Sequence, residues 1–109
     1  MKLSVVTCQG WWEQSGFGRQ PMNGLMLAFR GDQLAGQGSD IIGDFEITGT
    51  LREGNVSISK NYVGAHSVDY FGTYDGEGTL QGAWSIFGVG GRWLIRVVRG
   101  NESAEIVDL

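Results

Sequence analysis

Lys60, Tyr62, His66 and Tyr70 occupy positions where alternation along two neighbouring stretches calls for apolar side chains. An ammonium, two phenols and an imidazole on one face could do acid–base chemistry. They could equally satisfy a polar or anionic group on a small ligand. Burying an unpaired lysine is expensive, so Lys60 must either reach water at an open end of the fold or pair with a carboxylate. Asp40, Asp44 and Glu46 are the candidates. The alternative to a site is a snorkelling lysine beside a cross-strand Tyr–His pair. Phe45, Trp84 and Trp93 share the same inward parity and would give the site an apolar floor.

Catalysis has less support than binding. The chain lacks a nucleophile elbow, a phosphate loop and a paired Cys/His ligand set. One histidine argues against a protein-built zinc site. The spacing of Asp40, Asp44 and Glu46 is not that of an EF-hand loop. No cofactor is implied. If the protein is an enzyme, His66 or Lys60 is the base; ligand binding without turnover is the favoured expectation.

These residues have to be positioned by a single domain, since the chain has 109 residues. It holds 19 glycines and 1 proline, without the three-residue period of collagen. Apolar residues at 41% are enough for a packed core. No apolar run is long enough to span a membrane. A net charge of −4 argues against a nucleic-acid partner, and Arg92, Arg96 and Arg99 read as a solvated strand face. Cys8 is the single cysteine, so no intrachain disulfide can form, and it reads as a small buried hydrophobe. The apolar stretch before Cys8 is shorter than the roughly 7–15 residues of a signal core, and Thr7 stands where such signals want a smaller residue. The expected location is cytoplasmic.

Period-2 alternation, broken by glycine every 8 to 12 residues or so, signals an all-β sandwich or barrel. Eight strands are predicted near 2–12, 24–30, 33–39, 44–51, 55–63, 66–74, 79–87 and 91–99. Residues 1–99 then form one β-barrel domain and 100–109 an acidic tail. The hairpin turns set the register. They put Phe29 opposite Leu34, Leu27 opposite Gly36, Leu25 opposite Gly38 and Phe45 opposite Tyr62. They also pair Tyr62 with His66, Ile58 with Tyr70 and Trp84 with Trp93. Inward glycines leave room for large side chains across the interior. The fold expected is an eight-stranded antiparallel up-and-down meander barrel, with an open sandwich as the alternative. The loops near 13–23, 39–44, 63–65 and 87–91 gather at one end. The longest of them, Glu13 to Asn23, marks that end as the mouth.

Gly10–Trp11–Trp12 contains G-x-W, followed two residues later by Gln14. The apolar run Leu25 to Phe29 then leads into Gly31–Asp32–Gln33–Leu34–Ala35–Gly36. This order resembles the start of avidin-like proteins, which belong with the lipocalins to the calycin group; the resemblance covers roughly the first third of the chain. It implies a polar ligand contact at Gln14, and an arginine of the last strand (Arg92, Arg96 or Arg99) packed on the G-x-W tryptophan. Gly18, four residues after Gln14, departs from the polar contacts of the avidins.

Trp11, Trp12 and Phe17 form a further aromatic group, which could be barrel plug, ligand wall or subunit interface. Adjacent tryptophans on a strand face opposite ways, and an exposed one favours association. A homo-oligomer, most simply a dimer, is expected. The favoured expectation is a small-ligand-binding barrel in which an apolar or aromatic molecule meets Gln14, Phe45, Lys60, Tyr62, His66, Tyr70, Trp84 and Trp93. The alternative is a structural or protein-interaction module with a filled core.

Overall fold

The computed structural model describes the backbone of residues 4–102 and the side chains of residues 5–98. Eight strands follow one another in sequence: β1 Ser4–Gln14, β2 Gly18–Arg30, β3 Gln33–Ser39, β4 Asp44–Arg52, β5 Asn55–Tyr62, β6 Ser67–Tyr74, β7 Thr79–Ile86 and β8 Val89–Glu102. Each pairs antiparallel with the next, and β1 pairs antiparallel with β8, so the sheet closes into a barrel. Closure leaves no strand edge to be blunted. The meander barrel expected from the alternation is the fold observed, and the open sandwich is excluded.

Alternation builds the core directly. Phe45 and Ile47 on β4, Val56, Ile58, Lys60 and Tyr62 on β5, and Val68 and Tyr70 on β6 are buried. The residues between them, such as Glu46, Ser57 and Asp69, are exposed. On the remaining strands Leu27, Leu34, Leu80, Trp93 and Ile95 complete the packing. Most expected pairs are present: Phe29 with Leu34, Leu27 with Gly36, Phe45 with Tyr62, and Ile58 with Tyr70. The Tyr62 N–H donates to the His66 carbonyl at 3.0 Å across the β5–β6 turn.

Three expectations are corrected. The segment 13–23 is not a long loop: β1 and β2 run on as a hairpin, with Gln14 paired to Gly18 and Trp12 to Gln20. Its strand character was hidden because β2 changes phase. The β2–β3 register shifts between Asn23 and Met26, and Gly24 takes φ 58°. Met22 and Leu25 can therefore both point inward, which strict alternation forbids. The same irregularity interrupts the regular ladder where Leu25 was expected to face Gly38. Lastly, Trp84 lies opposite Gly91, not Trp93, and Trp93 lies opposite Gly82.

That third correction follows from the turn. Phe87 and Gly88 alone connect Ile86 to Val89, at φ 49° and 76°, as in a type I′ hairpin turn. Gly90 and Gly91 were expected in the loop but belong to β8. The glycine opposite Trp93 has its own reason. A Cβ on Gly82 would collide with the Phe71 carbonyl and with the Cα of Gly72, its partner on β6. Backbones close together there let the Trp93 indole N–H reach the carbonyls of Phe71 and Ala83, at 3.2 and 3.1 Å. Residues 100–102 continue β8, pairing as far as Val6 with Glu102. The rest of the expected acidic tail, 103–109, lies outside the described residues.

Candidate functional site

The β3–β4 loop turns a carboxylate into the barrel. Asp40 and Gly43 exchange backbone hydrogen bonds at 3.0 and 3.1 Å, which closes the loop on itself. The side chain of Asp40 is fully buried. Its Oδ1 accepts from the Ile42 N–H at 2.9 Å. Its Oδ2 accepts from Lys60 Nζ at 2.6 Å, from the Tyr62 hydroxyl at 2.7 Å and from Trp12 Nε1 at 3.1 Å. Four donors on one carboxylate make a charge-assisted knot.

Lys60 is the other half of this knot. Its Nζ also donates to the Tyr70 hydroxyl at 3.2 Å. The ammonium lies 4.3 Å from the centre of the Phe45 ring and 4.8 Å from that of Tyr62, within range of the ring quadrupoles. Burial pushes the Asp40 carboxyl upward, but the hydrogen bonds from Lys60 and Tyr62 and the Lys60 charge outweigh it and hold Asp40 below the ordinary carboxylate value. Burial lowers the Lys60 ammonium, and Asp40 restores part of the loss. Burial first, and Asp40 second, push both Tyr62 and Tyr70 well above the usual phenol value. The pair is thus an ion pair among neutral phenols. Of the two outcomes foreseen for Lys60, pairing with a carboxylate is the one observed.

Above the knot lies a cavity of about 260 Å³, open at the end where the 15–17, 40–43, 63–66 and 87–88 turns gather. Trp12 and Trp84 stand edge to face in its wall, ring centres 5.8 Å apart. The Trp84 indole donates to the Glu13 carbonyl at 3.0 Å, which fixes its plane. Val68 and Ile86 add aliphatic lining, and Phe17 and Phe87 form part of the rim.

Five of the eight residues singled out in the sequence line this cavity: Gln14, Tyr62, His66, Tyr70 and Trp84. His66 is exposed and its ring lies 5.1 Å from that of Tyr62. The other three do not line it. Lys60 is 1% exposed and held to Asp40, so it is neither a mouth cation nor a free base. Phe45 is buried against Lys60 and Tyr62. Trp93 is buried against Tyr70.

Sequence reasoning singled out neither Phe87 nor Val68 as lining, and left Asp40 as one of three possible partners. The acidic trio does not converge: Asp40 turns inward while Asp44 and Glu46 face solvent. Among the described residues no group of three or more His, Cys, Asp or Glu is placed to hold a metal ion. Arg92 and Arg96 are exposed. The arginine that does stack on a tryptophan is Arg19 of β2, with its guanidinium carbon 3.7 Å from the Trp11 ring centre. Arg19 also bonds Glu13 at 3.3 Å. The side chain of Arg99 lies outside the described residues. Cys8 is buried, and burial pushes its thiol up to about 11. No helix among the described residues is long and apolar enough to cross a membrane. Comparison with protein-family models, with curated proteins and with solved structures finds no match for this chain.

Proposed function

We propose that the open end of the barrel binds a small apolar or aromatic molecule and does not transform it. The carrying observation is the cavity of about 260 Å³ walled by Trp12, Trp84, Val68 and Ile86, with the buried Asp40–Lys60 pair held behind Trp12, Tyr62 and Tyr70. Ligand pockets are concave and mostly apolar, with a few placed polar groups. Here those groups are Gln14, His66 and Tyr70. Lys60 drops out as the partner of an anion, because Asp40 already neutralises it. Phe87 supports the same reading. It is 93% exposed and sits at φ 49°, where a bulky residue is strained. Strain of this kind persists at functional positions. On this reading the barrel is a distant, avidin- or lipocalin-like ligand binder that works in a reducing compartment such as the cytoplasm.

Titrating tryptophan emission with naphthalene-sized aromatics tests the proposal. Saturable quenching at one molecule per chain is the expected result. Val68→Phe, which fills the cavity, should abolish it while leaving the far-UV spectrum of the barrel intact. Absence of saturable quenching in the wild type would overturn the proposal, and so would quenching unchanged in Val68→Phe.

A second reading is favoured by Ile41 at 70% exposed and Val63 at 69%, which join Phe87 on the same rim. On that reading the rim is the interface of a homodimer. Sedimentation of the wild type against Phe87→Asp separates the two: a dimer lost in the variant favours association, and a monomer in both favours ligand binding.

A further inference from the structure

The Tyr70 hydroxyl is engaged as an acceptor, which leaves its own proton free to be donated. The Lys60 ammonium can only donate, so in the 3.2 Å contact the Tyr70 oxygen is the acceptor. The Tyr70 proton must point elsewhere, and among the described residues it meets no acceptor. Tyr62 differs, because its hydroxyl proton is spent on Asp40. Tyr70 is 3% exposed, yet it lines the cavity. It is therefore a buried donor on the cavity wall whose proton is not taken up by the Lys60 contact. Unmade hydrogen bonds in such places are costly, so an arriving acceptor is rewarded more there than at the exposed rim. The bond from the ammonium withdraws charge from the phenol oxygen and strengthens the O–H as a donor.

The charge around this donor decides which acceptors fit. Lys60 is matched by Asp40, so the ion pair behind Tyr62 and Tyr70 carries one cation and one anion. Among the described residues no lysine or arginine lines the cavity to offset the desolvation of an incoming carboxylate. The Asp40 carboxylate, bonded to Tyr62 of the cavity wall, repels it instead. A neutral acceptor such as a ketone, aldehyde or ester carbonyl suffers neither penalty.

We infer that Tyr70 is the specificity-determining donor of the cavity, and that the ligand is a neutral aromatic or conjugated molecule bearing a carbonyl-type acceptor. The inference rests on the ligand-binding reading above and narrows it to a chemical class. Discrimination of this kind is stronger than discrimination by shape, because a ligand lacking the acceptor leaves the phenol unpaired.

Three probes of nearly equal size test it: 2-acetylnaphthalene, 2-ethylnaphthalene and 2-naphthoate, each titrated into the wild type and into Tyr70→Phe. In the wild type the ketone should bind about tenfold tighter than either of the others, the value of one hydrogen bond made in a dry site. The carbonyl stretch of the bound ketone should fall below its frequency in hexane. In Tyr70→Phe the preference and the infrared shift should both vanish, while the ethyl compound keeps its affinity. The infrared shift in the wild type needs no variant, so it still decides the matter if Tyr70→Phe does not fold. Equal binding of ketone and hydrocarbon with an unshifted carbonyl overturns the inference and leaves the pocket standing. Tightest binding by the carboxylate also overturns it. Failure of all three probes removes the pocket itself, and the inference with it.

Discussion

Lys60 and Asp40 meet 2.6 Å apart inside the barrel although 20 residues separate them in sequence. One comes from the middle of a strand and the other from a loop. A lysine on the inner face of β5 is tolerated only because the β3–β4 loop delivers a carboxylate to it. The pair ties that loop to the barrel interior, and its partners Trp12, Tyr62 and Tyr70 line the cavity.

Removing either partner should strand the other. Asp40→Asn and Lys60→Met are each expected to cost about 3–5 kcal/mol, the penalty for an uncompensated buried charge. The double variant should cost much less than the sum of the two, because it removes both charges together. Urea denaturation of the four proteins measures this coupling. Additive losses would mean that the two groups do not act as a pair.

Acid should loosen the same knot. Asp40 titrates below its ordinary value in the folded chain, so over that interval the unfolded chain binds more protons. The stability it contributes is complete above about pH 5 and is lost as pH falls through the folded value. Asp32, held low by Arg52, and Asp75, held low by the Glu77 and Thr79 amides, also titrate low in the folded chain but are exposed. The contribution of Asp40 is therefore the difference between wild type and Asp40→Asn. The unfolding free energy of the variant, from urea melts, should fall less steeply than that of the wild type between pH 5 and the acid limit.

At the alkaline end the phenols take over. Tyr62 and Tyr70 are raised in the folded chain, so the folded state keeps protons that the unfolded chain releases. The stability they contribute is whole below about pH 10 and declines as pH climbs toward the folded values. Tyr70→Phe should make the decline above about pH 11 shallower, as a pH series of thermal melts would show.

The glycine facing Trp93 should resist replacement. Gly82→Ala puts a methyl group into the Phe71 carbonyl and the Gly72 Cα, both backbone atoms that cannot swing away. A loss of about 3 kcal/mol is expected, at the upper end for overpacking. Calorimetry should show it together with a changed near-UV signal from Trp93.

Phe87→Asn should act in opposite directions on stability and binding. Asparagine tolerates the left-handed backbone of this turn better than phenylalanine. The variant should be more stable by about 0.5–1 kcal/mol. If Phe87 serves as cavity rim, the same change weakens ligand binding severalfold in the tryptophan titration. A destabilised variant would contradict the strain attributed to the turn.

The barrel was legible because period-2 alternation is strong from Asp44 to Ile86 and the turns there are short. Phe45 opposite Tyr62 and Tyr62 beside His66 follow from turn residues alone. Two kinds of information were not legible. A phase change carries no marker in the alternation, so the irregularity at Gly24 made the first part of β2 read as loop. The two-residue shift between Trp84 and Trp93 arose because Phe87, a poor residue for a left-handed turn, concealed where the turn lies. Loop residues have no periodicity at all, and nothing in Asp40, Asp44 or Glu46 by itself tells which one folds inward. The cavity lining shows the same division: Tyr62, His66, Tyr70 and Trp84 come from strand parity or turn register and Gln14 from its place after G-x-W, whereas Phe17 and Phe87 sit on turns.

The four indoles occupy different surroundings, and this gives the molecule a built-in gauge. Trp12 and Trp84 border the opening, Trp11 is capped by a guanidinium on the outer wall, and Trp93 is sealed against the Phe71 and Ala83 carbonyls. A guest should dim the first two and spare Trp93, whereas unravelling would change the light from all four. One emission spectrum can thus tell an occupied barrel from a broken one.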